Sequence, residues 1–201
     1  ADGPFPEHYE PLECPVEKDL LSPQKNNPAL KRFDKAGVGS DLDKYSGVDS
    51  CDPRFPFICS TYRISEHWQT GVLTRWCPWL AEMQPELWVE ISRELAKERG
   101  FKNGERVVVK SARGEVEAVA IVTPRFKPFD IDGTTIHEVG IPWHFGWITT
   151  ADRKYHPADK KPEIFTTGDS ANLLTPSIGD ANTTIPKSKA FMVNVVKKGV
   201  K

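Results

Sequence analysis

Two valine-rich runs separated by short turns are the feature that most constrains how this chain can fold. Asn103-Gly104 is typical of a tight turn, and residues 106–110 that follow it are rich in β-branched valine. A second turn at 112–114 leads into residues 115–123, in which glutamates alternate with apolar side chains. The pattern predicts a β-hairpin with one face in a core, and therefore a mainly β fold with few helices.

One helix is predicted over residues 85–99. Pro85 suits the first turn of a helix, and Gly100 suits its C-terminal cap. Between these ends, apolar side chains recur at four-residue spacing: Leu87, Ile91 and Leu95. Such a stripe is typical of a helix that packs on a core, so we expect this helix to be structural.

Residues 1–54 differ from the rest of the chain. They are rich in Pro, Asp, Lys and Asn and show neither helical nor strand periodicity, which predicts an extended irregular arm. The compact domain is expected over residues 55–201. Its further strands are expected at 55–59, up to Ile141 and over 190–196.

Composition excludes several classes of function. At 201 residues the chain can form one domain with its own core, and its formal net charge of −1 gives no broad attraction for nucleic acid or anionic membrane. No stretch has the apolar length of a membrane-spanning helix, and the first residues lack the pattern of a signal peptide. Because the chain begins with Ala1, an export signal already removed and a piece of a longer polypeptide are both open readings.

The four cysteines are Cys14, Cys51, Cys59 and Cys77, without Cys-x-x-Cys spacing or a histidine at zinc spacing. A structural metal or an iron–sulfur cluster in this chain is therefore not expected, and we predict no metal ligand. A Cys51–Cys59 disulfide suits an exported protein, but small buried thiols are the favoured interpretation.

A polar segment over residues 172–189 directly precedes the apolar run 190–196. Backbone amides beside a small glycine can approach phosphate closely, and lysine adds positive charge. The alternative is a solvated loop with ordinary turn residues, and composition leaves the two interpretations equally open. The candidate ligand-binding residues of this segment are Asn172, Gly179, Asp180, Asn182 and Lys189.

A second polar segment, residues 60–68, follows the apolar run 55–59. Arg63 suits a two-pronged contact with phosphate, and Glu66 suits the amide edge of a guanine-like base. The alternative for both is a surface ion pair of little energetic value. For His67 taken alone, a half-buried structural histidine is the favoured interpretation.

Aromatic residues alternate with His144 and Gly146 over residues 141–147. They predict a wall that can lie over a flat heterocycle, with the histidine as a donor to the ligand. Trp143 and Trp147 are interpreted as core aromatics rather than ligand contacts. For His144 the structural and the ligand-binding interpretations both stay open.

Together these segments carry a resemblance to a known family. Residues 61–67 (Thr-Tyr-Arg-Ile-Ser-Glu-His), 140–146 (Gly-Ile-Pro-Trp-His-Phe-Gly) and 174–182 (Leu-Thr-Pro-Ser-Ile-Gly-Asp-Ala-Asn) look like the C-terminal domain of molybdenum- or tungsten-dependent formate dehydrogenase catalytic subunits. The similarity is greatest to the respiratory and periplasmic branch, and residues 3–12 resemble the stretch that leads into this domain. The resemblance runs over nearly the whole chain in the same order.

The resemblance implies a six-stranded double-psi β-barrel that caps two molybdopterin guanine dinucleotides. It implies that Thr61, Tyr62, Arg63, Ser65, Glu66 and His67 line the pyrophosphate and guanine side of one dinucleotide. It implies pterin and phosphate contacts for Asn172, Gly179, Asp180, Asn182 and Lys189, with His144 and Gly146 joining either set. In this family the metal ligand lies outside the matched residues, so the chain is expected to hold the cofactor without catalytic residues of its own.

The resemblance also implies partners and a location. The expected partners are the rest of a catalytic subunit that oxidises formate to CO2, or runs the reverse, and an iron–sulfur electron-transfer subunit that carries its own clusters. Neither nucleic acid nor membrane insertion is expected. The expected location is the periplasm, with the cytoplasm as the alternative.

Two other functions stay open. One is the same domain in a relative that acts on an oxyanion or a sulfoxide, and the other is a non-catalytic module with a Trp-rich binding face. The six tryptophans are scattered along the chain, which indicates mixed use in a core. Residues 151–162 depart from the family pattern and are interpreted as a charged surface loop.

Overall fold

The computed structural model describes residues 13–16, 51–146, 149–150, 164–166, 168–176, 183, 185–186 and 188–199. In these ranges the strands are β1 (Phe57–Tyr62), β2 (Trp88–Ser92), β3 (Arg106–Lys110), β4 (Glu115–Thr123), β5 (Phe129–Ile131), β6 (Thr134–Ile136), β7 (Glu138–Pro142), β8 (Thr149–Thr150), β9 (Ile164–Thr166) and β10 (Phe191–Lys197). The α-helices are α1 (Pro78–Met83) and α2 (Arg93–Arg99), and short 3-10 helices span Thr74–Trp76 and Ala171–Leu173.

Six of these strands close into a barrel in the order β1-β10-β3-β4-β2-β7. The β1–β7 and β2–β4 pairs are parallel, and the other neighbouring pairs are antiparallel. The strands β5–β6 and β8–β9 form two small antiparallel sheets beside the barrel. The expectation of a mainly β chain with a six-stranded barrel is confirmed.

The barrel interior is filled by the side chains that the alternating pattern points inward. Val107 and Val109 of β3 and Ala118 of β4 are fully buried, and Val116 is 1% exposed. The hairpin between β3 and β4 pairs in register from Arg106–Val119 to Lys110–Glu115. The prediction of this hairpin is confirmed. Its period-two alternation gives one solvent-exposed face and one buried face.

The predicted helix over residues 85–99 is wrong in its first half. Residues 88–92 form the strand β2, which is buried at all five positions, and only Arg93–Arg99 are helical. The Ser92 side chain accepts a hydrogen bond from the backbone N–H of Leu95 at 3.0 Å and so starts α2. Gly100 ends the helix at φ 69°, as predicted. A four-residue apolar spacing fits a strand buried on both faces as well as a helix.

Residues 13–16, from the N-terminal arm, lie against the barrel. Glu13 is 2% exposed, and the backbone N–H of Cys51 donates to the Cys14 carbonyl at 2.8 Å. The boundary at residue 54 stays a prediction, and residues 1–12, 17–50 and 151–163 lie outside the described residues.

Cys59 is a fully buried free thiol in the barrel core, so the Cys51–Cys59 disulfide is absent. Burial also raises the pKa of the Cys59 thiol well above its ordinary value. The expectation of buried thiols holds for Cys59, whereas Cys51 is exposed.

A run of large apolar side chains is exposed on the segment between β1 and β2. They include Trp68, Leu73, Trp76, Trp79 and Met83, each more than half exposed. The expected core role of the tryptophans therefore holds for Trp88, which is 8% exposed, but not for this segment. Within the described part of the chain, neither α1 nor α2 nor any shorter helix has the length and hydropathy needed to cross a membrane.

Candidate functional site

A cleft of about 530 Å³ lies where the parallel strands β1 and β7 end. Residues from the segments 60–68 and 172–189 line it together, so the structure brings the two distant polar stretches to one site. Trp143, from the 141–147 segment, also lines the cleft. The lining residues are Thr61, Arg63, Trp143, Asn172, Thr175, Pro176, Pro186, Ser188 and Lys189.

Hydrogen bonds join the end of β1 to the segment before β10. The Thr61 hydroxyl donates to the Ser188 carbonyl at 2.8 Å. In return, the Lys189 ammonium donates to the Thr61 carbonyl. Because Thr61 is 2% exposed, these bonds are shielded from water and hold one corner of the cleft in place.

Trp143 connects Arg63 on one side to Asn172 on the other side. The Arg63 guanidinium lies over the Trp143 ring, with its carbon 4.1 Å from the ring centroid. The indole Nε1–H of Trp143 donates to the Asn172 side-chain oxygen at 2.8 Å. Asn172 is in turn placed by a 3-10 helix that starts when the Ser170 side chain accepts from the Asn172 N–H. The cation, the ring and the amide therefore form one connected surface.

The cleft is electrostatically suited to an anion. Partial burial, and then the neighbouring Arg63 cation, hold the pKa of Lys189 below its ordinary value of 10.5. Two cations lie close enough to disfavour each other, and the described lining contains no carboxylate. A phosphate or pyrophosphate group would relieve this repulsion and accept from both side chains.

His144 lies behind the cleft and is fully buried. Its Nε2 accepts from the backbone N–H of Ile64 at 2.9 Å, and its Nδ1 bonds the Gln69 carbonyl. This pattern requires the neutral tautomer with the proton on Nδ1. Burial holds the pKa of His144 below its ordinary value of 6.5, so the ring joins the β1 and β7 ends instead of offering a donor to the cleft.

His67 is also buried, at 3% exposure. Its Nδ1 bonds the Thr74 hydroxyl at 3.2 Å, and its Nε2 bonds the Gln84 carbonyl at 2.9 Å. Burial likewise lowers the pKa of His67. Both ring nitrogens are used by protein groups, which fits the structural interpretation of this residue.

The remaining predicted site residues fall outside the cleft lining. The Tyr62 hydroxyl accepts from the Trp88 indole at 2.9 Å, and burial raises its pKa to about 12. Ser65 is exposed and Glu66 is half-buried. Gly146 has φ 141°, and a Cβ there would lie 3.0 Å from the Ser170 Cβ, so this glycine permits a close approach of two loops.

Three predicted residues, Gly179, Asp180 and Asn182, lie outside the described residues. Of the predicted set, the structure brings Thr61, Arg63, Asn172 and Lys189 into one cleft. The ligand roles of all thirteen stay predictions.

Sequence reasoning missed part of the lining. Trp143 packs against the core, as its interpretation as a core aromatic predicts, but its ring also lies under Arg63 in the cleft. Thr175, Pro176, Pro186 and Ser188 also line the cleft and were not singled out. A signal for these four residues was present in the sequence, because all four lie in the polar segment 172–189.

Comparison with protein families identifies this architecture. Residues 57–192 match the family described as Molydopterin dinucleotide binding domain. The chain belongs to this family. The match begins at β1 and ends in β10, so the domain that binds a molybdopterin dinucleotide covers the barrel and its cleft.

The sequence of this dinucleotide-binding domain is similar to parts of longer curated proteins. The chain is 50% identical over 196 residues to formate dehydrogenase subunit alpha of Megalodesulfovibrio gigas, which covers 98% of this chain and 17% of the relative. It is 44% identical over 196 residues to formate dehydrogenase 2 subunit alpha (cytochrome c-553) of Nitratidesulfovibrio vulgaris, with the same coverage. The chain thus spans about 17% of the length of these curated relatives.

A solved structure shares the fold. Acetylene hydratase from Pelobacter acetylenicus matches with a TM-score of 0.50 at 13% identity, over 73% of this chain and 19% of that chain. At this identity the similarity concerns the barrel fold alone.

The donor set of the cleft fits a dinucleotide better than a bare metal ion. Two cations, an indole and an amide are suited to phosphate and to planar heterocycles. Among the described residues, no three His, Cys, Asp or Glu side chains converge in a way that could hold a metal.

Proposed function

We propose that this chain is the cofactor-holding part of a formate dehydrogenase catalytic subunit, which oxidises formate to CO2 or catalyses the reverse reaction. The observation that carries the proposal is the cleft that is lined by two cations, Arg63, which lies over the Trp143 ring, and Lys189. Two relatives, 50% and 44% identical over 98% of this chain, are named as formate dehydrogenase alpha subunits.

Arg63 would supply the strongest contact to the dinucleotide. Its planar guanidinium can donate two parallel hydrogen bonds to one phosphate group while its face stays on the Trp143 ring. Lys189, whose ammonium donates to the Thr61 carbonyl, would add a second positive charge. The Asn172 amide keeps its N–H2 donors available because its oxygen accepts from Trp143.

The contribution of the chain would be preorganisation. A large charged cofactor loses much freedom on binding, and donors already held in place reduce that loss. When bound, molybdopterin guanine dinucleotide supplies the dithiolene sulfurs that hold the redox-active metal. The residues of this chain position it, shield its phosphates from water and neutralise their charge.

The proposed function also specifies the form of the cofactor, the source of the metal ligand, the electron acceptor and the location. The cofactor is the bis form with Mo or W, the metal ligand belongs to the rest of the catalytic subunit, and an iron–sulfur subunit accepts the electrons. The periplasm is the proposed location. The resemblance of residues 61–67, 140–146 and 174–182 to the respiratory and periplasmic branch supports these parts.

The test uses the assembled enzyme that contains this chain. Arg63→Ala should lower cofactor retention by about tenfold to hundredfold, because a hydrogen bond to a charged group contributes about 1.5–3 kcal/mol. Guanine nucleotide released on denaturation, measured by mass spectrometry per enzyme molecule, gives the retention directly.

Arg93→Ala is the matched control, because Arg93 is exposed at the start of α2 and outside the cleft lining. It should retain the full nucleotide content. If the Arg63→Ala enzyme keeps normal guanine nucleotide and normal formate oxidation, the phosphate role of Arg63 is refuted. If the unaltered enzyme holds no guanine nucleotide, the proposed function itself fails.

A further inference from the structure

A buried ion pair lies below the cleft, formed by Glu13 of the N-terminal arm and Arg113 of the β3–β4 turn. Their side chains are 0% and 3% exposed, respectively. Arg113 Nη1 donates to Glu13 Oε1, and Arg113 Nη2 donates to Glu13 Oε2 at 3.2 Å. The pair is thus two-pronged and dry, unlike the exposed ion pairs on the barrel surface.

Each member of the pair also holds a backbone group beside one part of the cleft lining. These parts, residues 171–176 and residues 188–192, are here named the two walls. Arg113 Nε donates to the Leu174 carbonyl at 2.7 Å. Glu13 Oε2 accepts from the backbone N–H of Met192 at 2.5 Å. One ion pair therefore connects two segments that are distant in sequence.

The two anchored backbone groups lead directly to the cleft. Leu174 follows the 3-10 helix that carries Asn172 and precedes the lining residues Thr175 and Pro176. Met192 is the second residue of β10 and follows the lining residue Lys189 by three positions. The Glu13–Arg113 pair sits at the base of both walls.

The arm segment that carries Glu13 is itself held in place. The Cys51 N–H donates to the Cys14 carbonyl at 2.8 Å, and the Cys51 thiol donates to the Pro15 carbonyl at 3.2 Å. Cys51 leads into β1, which ends at the cleft. Glu13 is therefore fixed relative to the strand that carries Thr61 and leads to Arg63.

A buried ion pair contributes little to stability on its own, because desolvation of both charges offsets their attraction, and apolar replacements of similar volume are often neutral. What the pair provides here is geometry, since each charge bonds one specific backbone group on a different wall.

We propose that Glu13 and Arg113 are positioning residues that set the spacing between the two walls of the cleft and so tune its affinity for a guanine nucleotide. The identity of the ligand rests on the proposed function. The ligand does not touch either residue, and the effect passes through the Leu174 carbonyl and the Met192 N–H.

The test compares the full chain with the double variant Glu13→Leu/Arg113→Met, which replaces the pair by apolar side chains of similar volume. The probe is GDP, which carries a guanosine and a diphosphate, and its Kd is measured by calorimetry. Hydrogen–deuterium exchange of peptides that cover residues 171–176 and 188–192 reports the two walls. The thermal midpoint reports global stability.

The matched control is Lys110→Gln/Glu115→Gln, which removes an ion pair of the same hairpin that is 3.1 Å long but exposed. We expect the apolar double variant to bind GDP about tenfold more weakly and to exchange several-fold faster in both walls. Its thermal midpoint should be lower than that of the unaltered chain, because the Leu174 carbonyl and the Met192 N–H lose their partners. The control should change none of these values.

A folded double variant with unaltered GDP affinity and unaltered exchange overturns the proposal. A shifted thermal midpoint with unaltered affinity also overturns it, because the pair is then only structural. If the double variant does not fold, Glu13→Gln takes its place with the same criteria, since it keeps the side-chain shape and loses the charge. If the unaltered chain does not bind GDP, the proposed ligand is wrong, and exchange in the two walls alone decides the positioning role.

Discussion

The cleft and the histidine pair behind it both use residues of the segments 60–68 and 141–147, yet their side chains are used in opposite ways. In the cleft, Arg63 stacks on Trp143 and is exposed, and among the described residues no carboxylate pairs with it. Behind it, His67 and His144 lie with ring centroids 6.1 Å apart, and both nitrogens of each ring bond protein groups. The donors of Arg63 are available to a ligand, whereas the ring nitrogens of the two histidines are already used by protein groups.

The difference shows that polarity in a motif does not identify a ligand contact. A buried polar side chain must be hydrogen-bonded inside the protein, and that requirement is met at His67 and His144 by loop backbone and a threonine. Only side chains at the strand ends, where the backbone stops pairing, keep donors for another molecule. Mutations should therefore separate the two groups by what they change, stability or binding.

The largest expected effect comes from His144→Ala. It would leave the Ile64 N–H and the Gln69 carbonyl without their partner, and each buried unsatisfied group costs about 1–3 kcal/mol. We expect a loss of about 3 kcal/mol in the free energy of unfolding, measured by urea denaturation. Arg63→Ala is the comparison on the cleft side and should cost less than about 1 kcal/mol. Equal losses in the two variants would contradict the division between the two regions.

The next effect is a pH dependence that belongs to the histidine pair. Burial lowers the pKa of both His67 and His144 in the folded protein, with nearby arginines adding to the shift. As the pH falls, the histidines of the unfolded chain therefore bind protons before those of the folded protein. The free energy of unfolding is at its full value above pH 6.5, the ordinary pKa of histidine, and falls as the pH is lowered below it. The slope is at most about 1.4 kcal/mol per pH unit for each histidine.

The measurement is urea denaturation between pH 5 and pH 7.5. The variant His67→Gln/His144→Gln should show a much smaller slope in this range. Lys189→Gln serves as the control from the cleft, because it changes a charged side chain there and leaves both histidines in place. A double variant with the slope of the unaltered chain would show that other groups set the acid sensitivity.

The smallest effect sharpens the role of Trp143 in the cleft. Trp143→Phe keeps an aromatic ring under Arg63 but removes the N–H that donates to Asn172. We expect GDP binding to weaken by about 1 kcal/mol, or roughly fivefold, while the free energy of unfolding changes by less than that. Trp143→Leu, which removes the ring as well, should weaken binding further. If both variants bind GDP equally, the hydrogen bond and not the stacking positions Arg63.

The sequence predicted the parts of the fold that depend on local alternation. The β3–β4 hairpin was predicted because its two runs are rich in valine, lie between short turns and have glutamates alternating with apolar residues in the second run. The strand β2 was mistaken for a helix because it is buried on both faces and shows no alternation. A start signal was present in the sequence, since serine is a preferred N-cap residue and the Ser92 side chain accepts from the Leu95 N–H where α2 begins.

The candidate site was predictable by segment but not by side chain. Thr61, Arg63, Asn172 and Lys189 were selected from polar composition and family resemblance, and they share the cleft. Which residues of the same segments turn inward depends on long-range partners, such as the Gln84 carbonyl for His67. A local pattern carries no information about such partners, so exposed and buried members of one motif looked alike.

The parallel pairing of β1 with β7 limits how this domain can vary in length. Ser60 pairs with Gly140, Thr61 with Ile141 and Tyr62 with Pro142, and the Trp143 N–H continues the pattern to the Tyr62 carbonyl. One residue inserted in either strand alone would move every later side chain of that strand to the opposite face of the sheet. It would also separate Arg63 from Trp143. Insertions can be accepted instead at the exposed turn between β5 and β6, where Gly133 has open space around it.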